Sequence, residues 1–324
     1  MDEKLPTVTV LIAARPGQAD VKAVEASCAL NYPADKLETV VARGTQPSAQ
    51  RNAGIKAARG EWIYFLDDDS VPMAGNLRYA MAHFSDPAVK VVGGPNVCPP
   101  DAPRLEQVFA AVLSSWLAFG PSRARYAPVG SVRDTSEKEL ILCNLVARRE
   151  ALLALGGFNE ALYPNEENAL MDQLQQQGGK LKYDPEMQVQ RRPRHSTRAF
   201  VRMLMNYGRG RAEQFRVNPG PGSALNFVPP LFLVYLLGLP AWIHWWGRLS
   251  MVPLALYGAA VCVQAALLAI SGHRWRSISA VPFIVLTHLV YGYGFWRGLF
   301  TPLSPPGKDT SGGVVLESGT DGKV

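Results

Sequence analysis

Hydrophobic residues follow two different rhythms along this chain. At Thr7 to Ala13, Glu38 to Ala42, Trp62 to Leu66 and Val89 to Val92 they come in short runs rich in Val, Ile and aromatic residues. Such runs mark strands buried on both faces. Between them lie stretches of helical character, at about Gln18 to Leu30, Ala49 to Ala58 and Asn76 to Phe84. Ser48 is placed to cap the start of the second and Gly60 to stop it. Strand and helix alternating in this way predict βαβ units, a parallel sheet and right-handed crossovers. Arg104 to Phe119 carries an apolar stripe at helical spacing and predicts one continuous helix. The polar, irregular stretch from Pro121 to Lys138 predicts a loop suited to act as a lid. Ile141 to Ala147 then predicts a strand, and Arg149 to Leu155 and Glu167 to Gln177 predict helices.

Beyond Phe227 the pattern changes to three long stretches almost free of acids, about Phe227 to Trp246, Met251 to Ile270 and Ile278 to Phe295. Each approaches the ~20 residues that a helix needs to cross ~30 Å of hydrocarbon. Pro229, Pro230 and Pro240 leave open whether the first crosses or is re-entrant. His244, Gln264 and His288 in these stretches read as interface or packing residues. The pattern therefore predicts a soluble domain at 1–195, a basic amphipathic membrane-interface segment at 196–226, about three transmembrane helices at 227–300 and a disordered tail at 301–324.

Charge sharpens this division. The chain carries a formal net charge of +6. Eight arginines between Gln190 and Arg216 are opposed only by Glu213. Beside an apolar span, such a run marks the cytoplasmic side and meets anionic lipid. The aromatic and basic interleaving of an RNA-binding module is missing, so nucleic acid is not an expected partner. The acidic start, Met1 to Lys4, leads straight into strand-like sequence and predicts no signal peptide. The sequence thus places a soluble domain on the cytoplasmic side of the cytoplasmic membrane, anchored by the spans.

The candidate chemistry centres on Asp67, Asp68 and Asp69, directly after the run Trp62 to Leu66. In open α/β sheets ligands gather beyond the carboxyl ends of such strands. Three adjacent carboxylates call for a counter-charge, and the one that suits oxygen ligands near phosphate is Mg²⁺ or Mn²⁺. The plain alternative is an acidic turn before the next helix. Glu166 and Glu167, at a predicted helix start, either stabilise the helix dipole or share a proton.

The order of the Thr7 to Ala13 strand, Ala49-Gln50-Arg51-Asn52, Phe65 to Asp69, Gly156-Gly157-Phe158-Asn159-Glu160 and Asn165 to Asn168 resembles the family-2 glycosyltransferases of GT-A fold, over about residues 7–195. The C-terminal spans resemble the anchors of members that build bacterial polysaccharides. This resemblance implies an α/β fold of GT-A (Rossmann-like) type, a mixed, mainly parallel sheet with flanking helices, followed by a transmembrane helical region. It implies that Asp67 and Asp69 hold the metal against the diphosphate of a nucleotide sugar, most often a UDP-sugar. It assigns Glu167 as catalytic base with Glu166 as its neighbour. Candidate substrate-binding residues are Ala13, Arg15, Arg51, Asp68, Asn144, Arg191 and Arg194.

Three departures stand out. The family's base is an aspartate in a Glu-Asp pair, where this chain reads Glu166-Glu167. Many members carry an aspartate after the second strand, where this chain reads Val41-Ala42-Arg43-Gly44-Thr45. Gln188 to Arg192 matches the Gln-x-x-Arg-Trp motif of processive synthases only in part, lacking the tryptophan. The expected activity is inverting transfer of a sugar to a lipid-linked or polysaccharide acceptor. A polyprenyl-phosphate glycosyltransferase and a non-catalytic sugar-nucleotide-binding subunit remain alternatives.

Overall fold

In chain order the elements are β1 (Val8–Ala14), α1 (Lys22–Cys28), β2 (Leu37–Arg43), α2 (Pro47–Ala57), β3 (Trp62–Asp67), β4 (Val71–Pro72), α3 (Asn76–His83), β5 (Val89–Gly93), β6 (Asn96–Val97), α4 (Arg104–Leu113) and α5 (Trp116–Phe119). They continue with β7 (Arg133–Thr135), β8 (Leu145–Arg148), α6 (Arg149–Ala154), α7 (Glu166–Gln176), β9 (Lys180–Tyr183), β10 (Val189–Gln190), α8 (Thr197–Val217), α9 (Val228–Trp246), α10 (Val252–Ile270), α11 (Arg274–Phe300) and β11 (Val315–Ser318). This computed structural model describes residues 5–162, 165–217, 219, 221–270, 274–303 and 313–318. Packing divides the chain into two compact units, Met1–Pro99 with Ala124–Arg192 and Ser304–Val324, and Pro100–Arg123 with Pro193–Leu303.

The first unit is built on a mixed sheet ordered β11-β2-β1-β3-β8-β5-β9-β7. β1 runs parallel to both β2 and β3, whereas β8 is antiparallel to β3 and β5. Alternate residues of each strand face opposite sides. Val8, Val10, Ile12, Tyr64 and Leu66 enter one apolar core, and Leu11, Ile63 and Phe65 enter another. The parallel segment leaves the carboxyl ends of β2, β1 and β3 side by side, with Ala14 paired to Arg43 and Ala13 to Asp67. A three-stranded ribbon, β4-β10-β6, lies on the path of the acidic turn and carries Gln190 next to Arg191.

Several expectations are corrected. The α2 cap is Gln46, whose side chain accepts from the Ala49 amide, while Ser48 lies inside the helix and is buried. The expected helix from Arg104 to Phe119 is interrupted at Ser114 and Ser115. Their hydroxyls bond the carbonyls of Ala111 and Val112, and Ser115 turns extended to cap α5. The stretch expected to be a lid is tied down. Arg125 is buried and donates to the carbonyls of Lys138 and Glu137 and to Asn168, and Arg133 pairs with Glu139 through both ends of its fork. In the expected disordered tail, residues 315–318 instead form a strand antiparallel to β2, because Val314 gives them an apolar foothold on the core. Residues 304–312 and 319–324 of that tail lie outside the described residues.

The second unit gathers α4, α5 and α8 to α11, so 100–123 departs from the expected 1–195 domain. The reason is aromatic. Phe109 of α4 stacks on Phe200 of α8 at 4.2 Å and meets Phe283 of α11 edge-on at 5.2 Å. Gly208 lets α8 approach the α11 backbone so closely that a Cβ there would collide with the Tyr291 carbonyl. The backbone of Leu117 in α5 accepts from His288 (2.9 Å) and donates to Gln264 (3.0 Å), so these polar residues are packing groups. Two apolar stretches, 48 residues at Ser223–Ile270 and 23 at Ile278–Phe300, are long and apolar enough to cross a membrane. A tight turn at Gly247–Met251 divides the first into α9 and α10, of 19 residues each.

Candidate active site

Three consecutive residues of α2 organise the site, because neighbours on a helix point about 100° apart and reach different partners. Gln50 is buried and donates to the carbonyls of Ala14 (2.8 Å) and Ala42 (2.6 Å), tying together the ends of β1 and β2. Arg51 donates to Glu166 at 2.8 Å and to Asp67 at 3.4 Å, joining the start of α7 to the end of β3. Asn52 donates to the Phe158 carbonyl and to Glu160, both at 2.9 Å, and accepts from the Phe158 amide at 2.7 Å. Asn52 thereby holds the Gly156 to Glu160 turn against α2. Gly157 adopts φ +86°, and a Cβ there would run into the Asn52 side chain.

Asp67 and Asp69 converge on one cation. The Arg191 guanidinium lies 3.1 Å from Asp67 Oδ2 and 2.5 Å from Asp69 Oδ1. Burial works against the Arg191 charge, yet the Asp67 and Asp69 carboxylates more than offset it and hold its pKa well above the ordinary value. Asp68 turns the other way and accepts from Gln18 at 2.7 Å. The acidic triplet is thus split into a pair that shares a cation and a third acid that anchors the loop after β1.

The donor chemistry fits a divalent cation. Among the described residues no cluster of three or more His, Cys, Asp or Glu side chains is arranged to hold a metal. A cation held by Asp67 and Asp69 would take two hard carboxylate donors from the protein and the remainder from other oxygens. That division suits Mg²⁺ or Mn²⁺, which bind through one or two carboxylates plus substrate phosphates and water. The two carboxylates already share one positive group, the Arg191 guanidinium.

Glu166 and Glu167 open α7 but differ in environment. Glu166 is 2% exposed, and among the described residues its Oε2 has no hydrogen-bond partner. Burial, then the neighbouring Glu167 charge, pushes its pKa up to about 7, against the pull of Arg51. Glu167 is half-buried and accepts from Asn168 at 3.4 Å.

Of the other expected site residues, Ala13 pairs with Asp67 across β1 and β3, and the Arg15 side chain is exposed on the loop after β1. Asn144 is fully buried, accepts from the Tyr64 hydroxyl at 2.8 Å and donates to the Met187 carbonyl at 2.6 Å, so it braces the sheet. Arg194 is exposed and belongs to the second unit. Gln18, Gln50 and Asn52 were missed, since a polar residue on a helix or loop carries no mark of a distant partner. The only sequence signal was the Gln50-Arg51-Asn52 string itself.

Residues 35–135 match the family described as Glycosyl transferase family 2. The pre-mycofactocin glycosyltransferase of Mycobacterium tuberculosis is 29% identical over 162 residues, 50% of this chain and 33% of that protein. The succinoglycan biosynthesis protein ExoA of Rhizobium meliloti is 28% identical over 200 residues, 60% of this chain and 56% of that protein. This chain therefore spans about a third to just over half of these relatives. The solved structure of mannosyltransferase PcManGT from Pyrobaculum calidifontis, in complex with GDP-Man and Mn2+, aligns over 91% of this chain and 87% of its own with a TM-score of 0.51 at 19% identity, a likeness of fold. The profile matched over residues 35–135 and the mixed sheet make this part of the chain similar to glycosyl transferase family 2.

Proposed function

We propose that this protein is a membrane-bound inverting glycosyltransferase that moves a sugar from a nucleotide sugar to a lipid-linked or saccharide acceptor. The observation that carries the reading is the convergence of Asp67 and Asp69 on a single positive group at the carboxyl end of β3. The names of the relatives, and the GDP-Man and Mn2+ in the PcManGT structure, support it. A divalent cation held there would stabilise the charge that builds on the departing nucleoside diphosphate. Arg191, freed from the two aspartates, is placed to meet phosphate oxygens with its planar fork. Arg51 keeps its bond to Glu166 and holds the start of α7 beside the acidic turn. Glu167, accessible where Glu166 is buried, takes the proton of the acceptor hydroxyl as that oxygen attacks the sugar from the face opposite the leaving group. The apolar stretches of the second unit tether the enzyme to the bilayer that holds a lipid-linked acceptor and raise its effective concentration.

The test follows nucleoside diphosphate release by purified full-length protein in detergent with Mn²⁺, a panel of nucleotide sugars and a lipid extract. Release that depends on the extract supports transfer and identifies the donor. Glu167→Gln is expected to lower kcat by roughly 10²- to 10⁴-fold. Near-normal release by Glu167→Gln would mean that the acceptor needs no base, as a polyprenyl phosphate does not. Nucleotide binding without release from any donor would overturn the catalytic reading.

A further inference from the structure

The tail strand β11 comes from the far end of the chain yet lies on the edge of the sheet nearest the candidate site. Its register pairs Val315 with Arg43 and Glu317 with Val41. Glu317 Oε1 accepts from Arg43 Nε at 2.7 Å. The same Arg43 side chain donates from Nη1 to the carbonyls of Gln18 (2.7 Å) and Arg15 (3.3 Å). Gln18 in turn donates to Asp68 at 2.7 Å. Tail, β2, the loop after β1 and the acidic turn after β3 are thus joined in one hydrogen-bonded line.

The position of this line is set by the sheet. β3, β1 and β2 are adjacent and parallel, so Arg43 lies two strands from Asp67 at the same carboxyl edge. Two spacings of ~4.8 Å give about 10 Å, the reach of a nucleoside extending from a diphosphate held at Asp67. An exposed ion pair contributes little alone. Here, however, it is backed by a backbone ladder and by Val314 packed on the core that includes Val40 and Ala42. The line passes through the Arg15 to Asp20 loop, which Arg43 holds at the carbonyls of Arg15 and Gln18.

We propose that β11 is a working part of the donor site. Through Glu317 it fixes Arg43, and through Arg43 it orders the Arg15 to Asp20 loop at the nucleoside end of the pocket. Glu317 is a positioning residue in this scheme and touches no reacting atom. The inference rests on the nucleotide-sugar reading for its consequence, but the ordering of the loop stands independently of it.

The experiment compares wild-type protein with Glu317→Ala, Glu317→Asp and a chain ending at residue 312, all full membrane proteins in detergent. The first readout is amide hydrogen exchange at residues 15–20 without nucleotide. The second is the affinity for UDP and GDP in the presence of Mn²⁺, with KM and kcat for whichever donor is used. Exchange at 15–20 is expected to rise by about tenfold in Glu317→Ala and in the truncated chain. Nucleotide affinity is expected to fall by roughly fivefold, appearing in KM with kcat retained, and Glu317→Asp is expected to recover part of both. Unchanged exchange at 15–20 in the truncated chain overturns the proposal. So does faster exchange with nucleotide affinity within about twofold of wild type, since the loop would then be ordered for some other end. Failure of wild-type protein to bind either nucleotide would instead remove the donor-site reading and leave the exchange result to judge the strand.

Discussion

Two polar clusters meet β3, and they are built on opposite principles. On its buried face Tyr64, Asn76 and Asn144 form a neutral network in which every described polar atom but Asn76 Oδ1 has a partner. Beyond its end Asp67, Asp69, Glu166, Arg51 and Arg191 form a charged network, part exposed, with Glu166 Oε2 left without a described partner. A satisfied neutral network stiffens a sheet. A charged one that shares cations is easily re-partnered by a ligand, and perturbed acids gather there for that reason. Polarity close to a motif is therefore no guide to function until its partners are counted.

The sharpest way to test the contrast is to remove one member from each cluster. Asp69→Ala is expected to lower sugar transfer by at least ~10²-fold with little change in thermal stability, because it removes a proposed metal ligand and relieves acidic crowding. Asn144→Ala should do the reverse. It leaves the Met187 carbonyl without its Asn144 donor and the Tyr64 hydroxyl without its acceptor, though still bonded by Asn76, costing about 1–3 kcal/mol in thermal or denaturant unfolding, with kcat of the folded fraction preserved. If both variants lose activity with stability intact, the distinction between the clusters fails.

A pH series sharpens it further. The folded-state pKa of Glu166, about 7 against an ordinary 4.5, means that the folded chain keeps a proton that the unfolded chain releases. Its stabilising contribution is full below about 4.5 and is lost as pH rises through 7. Glu166→Gln should flatten the decline in stability across that window by up to about 3 kcal/mol, read as a smaller difference in unfolding midpoint between pH 5 and pH 8. The smallest effect concerns Arg191. Arg191→Gln frees Asp67 and Asp69 from their resident cation, so Mn²⁺ should bind the nucleotide-free protein roughly three- to tenfold more tightly, as followed by electron paramagnetic resonance. Weaker Mn²⁺ binding would show that the guanidinium helps to gather the acids and does not compete for them.

What the sequence shows well is whatever one local rule decides. The Trp62 to Leu66 run and the acids behind it announce both a strand and the place where it ends, and β1, β2 and β5 fall within a residue of expectation. The Glu166-Glu167 pair is visible too, though which carboxyl would be buried depends on how α7 turns against α2. Arg191 is hidden by distance. Its partner Asp69 lies 122 residues away, and nothing in Gln190-Arg191-Arg192 says which arginine turns inward. Ser115 breaks a helix that its apolar stripe predicts, because a hydroxyl competing for backbone is invisible to periodicity. β11 is hidden by composition, a four-residue strand within a Gly, Ser and Thr tail whose one apolar cluster needs β2 to give it meaning.

The three spokes of α2 give the site a phase. Gln50, Arg51 and Asn52 each meet a different element, so the angular setting of one helix is common to the ends of β1 and β2, the acidic turn and the docking of the Gly-Gly turn. One residue inserted between Gln46 and Gln50 would turn all three by about 100° and uncouple them together. Point substitutions can adjust the spokes singly, whereas insertions and deletions cannot. Length variation among related chains should therefore be tolerated in the loops around α2 and forbidden within its first turn.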